Sequence, residues 1–337
     1  MKSLVIGGTG QLGANLVRVL LEHGHTVRVL HRSTSRTFTL AGLSVECMEG
    51  DLNDGTSLRR ACEGIQVVYH AAGYYPRTTV SANEAKGQAI KETHMLLEAV
   101  RNTGNERLVF ASSLSTVGFP RQMGRLANEA CSFSTRFPSN PYLMAKMAME
   151  ERVLQAGKQG LPAVVVIPTE FFGPYDQRPT SGTQILMIAK RSMPVYVPGP
   201  VNVIDVRDVA MAMMRAAERG RIGERYLVGN WNTTQQELYD LIADVADVSP
   251  PQVSVPFSLV RWAVKAGEWV ARACGRPPEF PAFFLEVMAH MQHYDCSKAL
   301  RELDYPRSSI ANALEDAVRW FRNHGYLPGA SEGSSNA

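Results

Sequence analysis

The middle third of the chain holds a serine, a tyrosine and a lysine whose types suit acid–base chemistry. Ser113 lies in the segment FASSLSTVG (110–118), and Tyr142 and Lys146 begin and end the segment YLMAK. Residues four apart on a helix share one face, so the phenol and the ammonium would lie one turn apart. The two residues form either a surface pair or part of a proton-transfer site.

The three side chains together suit the reduction of a carbonyl or the oxidation of an alcohol. Hydride addition to a ketone creates an alkoxide that needs a proton. Tyrosine, with a reference pKa of about 10, is a poor donor near neutrality, and a nearby cation lowers that pKa. We therefore predict that Lys146 lowers the pKa of Tyr142 and holds the nicotinamide ribose, while Ser113 binds the substrate oxygen. Catalysis of this type typically contributes ~10²–10⁴-fold.

Such chemistry needs a hydride carrier, and the N-terminal segment LVIGGTGQLGANLVRVL is typical of a dinucleotide site. Gly7, Gly10 and Gly13 have the spacing G-x-x-G-x-x-G directly after an apolar strand and at the start of a helix. Glycines allow the backbone to approach a pyrophosphate, and the helix N-terminus stabilises its charge. The alternative is a purely structural strand-to-helix turn.

The residues after the second strand bear on the choice of cofactor. A carboxylate at this position binds the ribose 2′-hydroxyl of NAD, but this chain has His31 and Arg32, with Arg36 close behind. Cations there can pair with a 2′-phosphate. We therefore favour NADP(H), with NAD(H) possible, and keep the alternative that Arg32 is a solvated loop residue.

Two further strand ends are predicted to border the cofactor. Asp51 and Leu52 follow the third strand, where Asp51 can cap the adenine. Ala71, Ala72 and Gly73 follow the fourth strand, and their small side chains fit close packing against the middle of the dinucleotide.

The elements that would position these residues alternate along the first two-thirds of the chain. This alternation predicts an α/β fold, a doubly wound parallel sheet of the Rossmann type. The predicted strands are Leu4–Ile6, Thr26–Leu30, Val45–Glu49, Val67–His70, Leu108–Ala111 and Ala163–Ile167. The predicted helices are Leu12–His23, Thr56–Ala61, Asn83–Asn102, Pro141–Gly157 and Asp208–Arg219.

The chain divides by pattern into two parts. Residues 1–173 are predicted to form the NAD(P)-binding domain, with its sheet completed by parts of 201–230. Residues 174–328 mainly form a smaller, mostly helical substrate lobe, and 329–337 a disordered tail. The helices of this lobe are predicted at Gln235–Val245, Leu259–Cys274, Phe283–His290 and Ser309–His324.

Composition narrows the possible partners and compartment. The chain has 337 residues and a formal net charge of +3, without a basic run that would indicate nucleic acid. No apolar stretch reaches 18 residues, so we expect no membrane partner, and the N-terminal apolar run is too short for a signal peptide. Five scattered cysteines fit reduced thiols in a cytoplasmic protein. His290, His293 and Cys296 suit a polar helix end better than a metal site, so we expect no metal.

These motifs, in this order, resemble the extended short-chain dehydrogenases/reductases, the NAD-dependent epimerase/dehydratase family. The motifs that carry the resemblance are GGTGQLG (7–13), Asp51-Leu52, Ser112-Ser113, Tyr142 to Lys146, PTEFFGP (168–174) and VIDVRDVA (203–210). HRSTSR, EGDLND, YHAAGYYPR and GERYLVGNWNTT are most similar to the dihydroflavonol 4-reductase-like and hopanoid-associated sugar-epimerase-like branch.

The resemblance implies roles for further residues. It implies a Rossmann fold with NAD(P) and a catalytic set of Ser113, Tyr142 and Lys146, and it places Pro168 and Thr169 beside the nicotinamide carboxamide. Thr9, Gln11 and Leu12 join the cofactor site because they lie inside the matched glycine motif. It also implies a homodimer formed through the helix that bears Tyr142 and the helix before it.

Three departures from the family pattern bear on the reaction. Ala89 replaces an asparagine that anchors a water relay in many relatives. Leu114 and Ser115 stand where sugar-nucleotide dehydratases carry an acidic pair, which argues against dehydration. The asparagine of an Arg-x-Phe-Asn motif, common in nucleotide-sugar epimerases, is missing from IPTEF.

Three functions remain open at this point. The first is an NAD(P)H-dependent reductase of a ketone or aldehyde on a small or apolar substrate. The second is a nucleoside-diphosphate-sugar epimerase that keeps its cofactor tightly bound, with cations available from Arg178, Arg191 and Arg207. The third is a non-catalytic NADPH-binding sensor, a class that commonly loses the tyrosine or the lysine.

The substrate contacts are predicted from position alone. Tyr74, Tyr75 and Arg77 follow the fourth strand, where a substrate loop is expected, and Phe172 is a further candidate in PTEFFGP. The aromatic residues of the C-terminal third either line an apolar pocket or pack in the core: Trp262, Phe280, Phe283 and Phe284.

Overall fold

The structure is a computed structural model that describes residues 1–73, 80–122, 124–131, 140–273 and 292–328. Several predictions fall outside the described residues: the substrate contacts Tyr74, Tyr75 and Arg77, the aromatic residues Phe280, Phe283 and Phe284, the helix Phe283–His290, and the tail 329–337.

A seven-stranded parallel sheet forms the centre of the molecule. Its strands lie in the order β10-β6-β5-β4-β1-β2-β3, so the strand order reverses beside β1. They are β1 Lys2–Ile6, β2 Thr26–His31, β3 Val45–Glu49, β4 Val67–His70, β5 Arg107–Ala111, β6 Ala163–Pro168 and β10 Arg225–Val228. All six residues of β6 are buried, as expected of a parallel strand with helices on both faces. The predicted doubly wound fold is confirmed.

Two helical layers cover the sheet. On one face pack α1 (Gln11–Glu22) and α6 (Val206–Arg219), and on the other α2 (Gly55–Cys62), α3 (Ala82–Thr103) and α4 (Pro141–Lys158). Each layer encloses its own apolar cluster with the sheet residues that face it. The α3 helix begins with a capping box, in which Ser81 and Glu84 bind each other's backbone N–H groups.

Most of the remaining elements enclose a third apolar cluster beside the sheet's carboxyl edge. They are β7 (Glu170–Phe172), α5 (Gly182–Ala189), β8 (Val195–Tyr196), β9 (Pro200–Asp205), β11 (Trp231–Thr234), α7 (Gln235–Ala246) and α10 (Ile310–Asn323). The short strand β12 (Val253–Ser254) and helix α8 (Phe257–Ala273) contribute no described side chain to it. Strands β11, β9 and β7 form a three-stranded sheet, and β12 pairs with β8. These strands were not predicted, because most are only two to four residues long and alternation is hard to read over so few positions.

One C-terminal helix returns to the main sheet. Helix α9 (Ser297–Leu303) places Ala299 and Leu303 in the apolar cluster shared by α1 and α6, and Tyr305 follows them there. Part of the segment 174–328 therefore packs on the main sheet. Among the described helices, none is long and apolar enough to cross a bilayer.

Candidate active site

Every predicted cofactor or catalytic segment lies at or directly after the carboxyl end of a main-sheet strand, or on the helix that follows. The glycine loop follows β1, His31 ends β2, and Asp51 follows β3 by two residues. Ala71, Ser113 and Thr169 follow β4, β5 and β6 in the same way. Because the strands are parallel, these segments meet along one edge, where open α/β sheets bind ligands.

The Ser113 and Tyr142 side chains meet directly. Ser113 Oγ lies 3.1 Å from the Tyr142 hydroxyl oxygen. The position of Tyr142 is set by the start of α4, where the Asn140 side chain accepts a hydrogen bond from Leu143 N and Pro141 is the first helical residue. Ser113 ends its strand by capping a 3₁₀ turn, Leu114–Thr116. The cap at Ser113 and the cap at Asn140 thus fix the two hydroxyl groups of Ser113 and Tyr142, which are 29 residues apart in sequence.

Lys146 lies one turn after Tyr142, but the net shift of the Tyr142 pKa is upward, opposite to the prediction. The Lys146 Nζ atom is 5.9 Å from the centre of the Tyr142 ring. Burial raises the pKa of Tyr142, and the hydrogen bond with Ser113 opposes that shift. The spacing of four residues predicted the right neighbours, but it carried no information about burial, which here outweighs the hydrogen bonds from Ser113 and Ser115 that lower the pKa.

Burial also perturbs the basic groups of the site. It lowers the pKa of Lys146 to about 8, while the charge of Glu150 acts in the opposite direction. The pKa of His70, at the end of β4, falls to about 3 because of burial and the positive charge of Lys146. His70 is therefore a neutral ring near pH 7, stacked on Phe110 with ring centres 4.7 Å apart.

Glu150 is a structural anchor of the site that the sequence analysis missed. It lies one turn after Lys146 and is buried, and one carboxylate oxygen accepts hydrogen bonds from Ser112 Oγ and Thr116 Oγ1. The other oxygen pairs with Arg225 on β10. Glu150 thus joins α4 to both sides of Ser113. The spacing of four from Lys146 was a visible signal, but its partner Arg225 is 75 residues away.

The glycine loop has two positions that the chain itself requires to be glycine. Gly7 has a φ of +85°, and a Cβ there would lie 2.8 Å from Ala72 Cα. A Cβ on Gly13 would lie 2.1 Å from the Gly7 carbonyl oxygen. The turn after β1 therefore closes only when these two residues lack side chains.

Gly10 differs, because the nearest atom to a Cβ there would be Gly7 O at 3.5 Å. The chain's own packing leaves space at this position, which is the N-cap of α1 and carries no side-chain cap. Open space beside a helix N-terminus suits a phosphate group. The glycine loop thus fits a dinucleotide.

Thr9, Gln11 and Leu12 of the loop are held by hydrogen bonds and packing. Gln11 Nε2 donates to Gly173 O at 2.8 Å, and Leu12 packs in the α1 core. The Thr9 carbonyl oxygen accepts from Thr39 Oγ1 at 3.1 Å and from Gln177 Nε2. Gln11 Oε1 is buried and has no hydrogen-bond partner among the described residues, so it is available to a cofactor, whereas Leu12 could offer only backbone atoms.

The residues beyond β2 and β3 are accessible. Arg32 is exposed and forms no ion pair with any residue that the structure describes. His31 Nδ1 lies 3.0 Å from the Arg32 carbonyl oxygen. Asp51 Oδ1 accepts hydrogen bonds from Asn53, and Leu52 packs partly against the core.

The part of the site that follows β6 contains a buried polar atom without a hydrogen-bond partner among the described residues. Pro168 ends β6, and Thr169 is held by a 2.9 Å hydrogen bond from its backbone N–H to Val228 O. Thr169 Oγ1 is buried, and it has no hydrogen-bond partner among the described residues. A buried hydroxyl without a partner is costly, so this position fits a ligand amide such as a carboxamide.

A protein-family model matches residues 3–229, two-thirds of the chain. Its description is the NAD dependent epimerase/dehydratase family. This chain is a member of that family. The resemblance inferred from the glycine, serine and Tyr-Lys motifs is confirmed, and the family consists of NAD-dependent oxidoreductases and epimerases.

Individual members of the epimerase/dehydratase family match over nearly the full length. A Synechocystis sp. protein named for dihydroflavonol 4-reductase is 37% identical over 96% of this chain and 95% of its own length. Sterol demethylase protein B of Methylococcus capsulatus is 33% identical, covering 97% and 100%. The crystal structure of a nucleoside-diphosphate-sugar epimerase from Pseudomonas aeruginosa is 30% identical, with a TM-score of 0.82 over 97% and 99%.

Some predicted contacts of this family member take other roles in the structure. Phe172 is 1% exposed and packs in the core beside β9 and α7, so we assign it to packing in place of substrate contact. Arg207 forms ion pairs with Asp205 and Asp316. Of the three cations considered for a diphosphate, this one is therefore already paired. Trp262 does not line a pocket, since it is 72% exposed. Ala89 is fully buried in the core.

A second missed residue is Glu170, next to Thr169. Its Oε1 atom accepts a hydrogen bond from Gln184 Nε2, and its Oε2 atom is buried with no partner among the described residues. Burial raises the pKa of Glu170 from its ordinary 4.5 to about 7, against the effect of Gln184. A carboxyl therefore stands in the segment where nucleotide-sugar epimerases often carry an asparagine.

Replacing Glu170 by Gln is expected to remove a pH dependence of stability. From about pH 4.5 to 7 the folded chain keeps a proton at Glu170 that the unfolded chain loses, so the unfolding free energy falls as pH rises. The E170Q variant should match the wild type at pH 4.5 and exceed it at pH 8 by about 3 kcal/mol. Denaturant unfolding at both pH values measures this. The exposed control E22Q should show no such difference; equal curves for E170Q and wild type would contradict the expectation.

Proposed function

We propose that this chain is an NAD(P)H-dependent reductase of a ketone or aldehyde on a small or apolar substrate. The observation that supports this most strongly is the 3.1 Å contact between Ser113 Oγ and the Tyr142 hydroxyl, with Lys146 one helical turn away. These groups lie at the edge of the sheet where the glycine loop would hold a dinucleotide.

Ser113, Tyr142 and Lys146 each have a distinct role in the proposed reaction. Bound NAD(P)H supplies the hydride. Ser113 donates a hydrogen bond to the carbonyl oxygen and so fixes it beside Tyr142. The Tyr142 hydroxyl gives its proton to the same oxygen as negative charge develops there, which completes the alcohol. Lys146 supplies positive charge that stabilises the phenolate left behind.

Burial keeps the Tyr142 hydroxyl in its protonated form before the reaction. The raised pKa of Tyr142 keeps the phenol protonated near neutral pH, which suits an acid that must donate a proton. The Glu150 network holds Ser113 against α4, so the two oxygens are positioned before substrate arrives.

The alternative is a nucleoside-diphosphate-sugar epimerase, which is the name of the similar P. aeruginosa structure. One feature of the structure favours the reductase. Arg207, one of the three cations considered for a diphosphate, is already bound by two carboxylates. The names of the two relatives, dihydroflavonol 4-reductase and sterol demethylase protein B, suggest apolar ring substrates.

The proposed function is tested by measuring cofactor oxidation and alcohol formation. The purified protein is incubated with NADPH or NADH and a panel of cyclic and aromatic ketones and aldehydes, and absorbance at the reduced nicotinamide band is followed. The proposal predicts stoichiometric cofactor oxidation and alcohol formation. Epimerisation of a nucleotide-linked sugar with no net cofactor consumption would instead establish the alternative.

We further propose that Arg32 selects NADP(H). Its exposed guanidinium stands at the carboxyl end of β2, where the 2′-phosphate of NADPH would lie. Arg32→Ala should raise the Kd of NADPH about tenfold by removing one charge-assisted contact, and leave the Kd of NADH within about twofold. Fluorescence titration measures both constants. Arg101→Ala, an exposed arginine on α3, is the control; an equal loss for both cofactors would remove Arg32 from this role.

A further inference from the structure

Helix α8 exposes a row of large apolar side chains. Trp262 and Trp269 are 72% and 74% exposed, and Leu259 and Val270 are 56% and 53% exposed. The spacings of three, seven and one residues place all four on one side of an α-helix. We call these four residues the outer face of α8.

The opposite side of the same helix rests on the protein. Phe257, Val260, Val264 and Ala271 are half-buried, and their spacing forms a second stripe. No described side chain of α8 belongs to the three apolar clusters of the core. The outer face therefore adds no described side chain to the core, and contiguous exposed apolar surface usually marks an interaction site.

The charges of α8 indicate what the outer face would contact. The helix sequence contains Arg261, Lys265 and Arg272 against a single Glu268, a surplus of two positive charges. Arg261, whose side chain the structure describes, is exposed. Tryptophan at an interface and basic residues beside an apolar face are typical of helices that lie in the headgroup region of a membrane.

We propose that the outer face of α8 docks on the surface of an anionic lipid bilayer. The indole rings would enter the headgroup region and the basic residues would pair with lipid phosphates. A second copy of this chain fits less well, because two helices of equal positive charge would repel each other. The short sheet that precedes α8 carries exposed apolar residues as well, Val253 and its register partner Val195.

This surface is independent of the proposed reductase activity. Four charged residues within twelve positions fit a helix that lies on a membrane, not one that crosses it. If the substrate is apolar, docking would also place the active site near the phase in which such a substrate dissolves. Vesicle binding can be measured without any substrate, so failure of either proposal leaves the other open.

The experiment is vesicle flotation of the full chain. Vesicles of phosphatidylcholine with one-third phosphatidylglycerol are compared with vesicles of phosphatidylcholine alone. We expect binding to the anionic vesicles, weakened by high salt, and a blue shift of tryptophan emission. The Trp262→Ser/Trp269→Ser double variant should bind at least about tenfold more weakly. Arg261→Glu should weaken binding to anionic vesicles and leave the weak binding to neutral vesicles unchanged.

The control removes apolar surface elsewhere. Leu126 and Ile222 are exposed and lie outside α8, so the Leu126→Ser/Ile222→Ser variant should bind as wild type. Thermal unfolding confirms that each variant is folded. The proposal is overturned if wild type binds neither vesicle, if the double tryptophan variant binds equally well, or if the control loses as much. It is also overturned if the tryptophan variant only changes self-association measured by sedimentation without lipid.

Discussion

Replacing Tyr142 by phenylalanine should reduce kcat for carbonyl reduction by ~10²–10⁴-fold and leave NADPH affinity nearly unchanged. The substitution removes one oxygen atom, the one that lies 3.1 Å from Ser113 Oγ. The ring keeps its place in α4, so the cofactor edge of the sheet is not disturbed. Because the lost group is the proposed proton donor, the effect should appear in the chemical step and not in cofactor binding.

The measurement pairs steady-state kinetics with cofactor titration. Tyr226→Phe is a matched control, since that hydroxyl also makes a hydrogen bond, to Glu302 at 2.8 Å, but lies on β10. It should leave kcat within about twofold of wild type. If Tyr142→Phe retains more than a tenth of the activity, another group donates the proton. If wild type has no measurable turnover but binds NADPH tightly, the sensor hypothesis gains support.

Two glycines of the same loop should fail in different ways when changed to alanine. Gly10→Ala should keep the fold, because its Cβ would be 3.5 Å from the nearest atom, yet raise the Kd of the dinucleotide by about 100-fold. The methyl group would take the space that the pyrophosphate needs. Gly13→Ala should destabilise the fold itself by about 3 kcal/mol or more, since its Cβ would lie 2.1 Å from Gly7 O.

The contrast is read from two measurements on each variant. Thermal unfolding without cofactor should separate Gly13→Ala from wild type, with Gly10→Ala within a few degrees of wild type. Isothermal titration should then show weak binding by the stable Gly10→Ala protein. Normal binding by Gly10→Ala would mean that no phosphate approaches this part of α1, and the cofactor site would have to be sought elsewhere on the sheet edge.

The sequence predicted features whose causes are local. The six apolar strands and the glycine turn were placed within one to two residues, because continuous Val, Ile and Leu runs have few alternatives when bounded by turns. The shared site of Ser113 and Tyr142 was predicted from their positions after a strand and on the next helix, together with the family resemblance. The Asn140-Pro141 start of α4 shows why that prediction was accurate, since a side-chain cap and a proline fix one helix end.

The features that the sequence did not predict depend on distant parts of the chain. Glu150 acquires its role only when Arg225 of β10 arrives beside it. The pKa of Tyr142 moves opposite to prediction because burial is a property of the folded site. Trp262 was expected either to line a pocket or to pack in the core, whereas it is exposed on the side of α8 opposite Phe257 and Val260.

The return of α9 to the main sheet has a consequence for biosynthesis. The layer that contains α1 and α6 is closed by Ala299, Leu303 and Tyr305, and the Tyr305 hydroxyl donates to Gly229 O at 2.8 Å beyond the last strand. A ribosome must therefore translate past codon 305 before the nucleotide-binding half can close its apolar layer. The emerging N-terminal half must wait with part of its sheet uncovered, which makes it a natural client for chaperones that hold nascent chains.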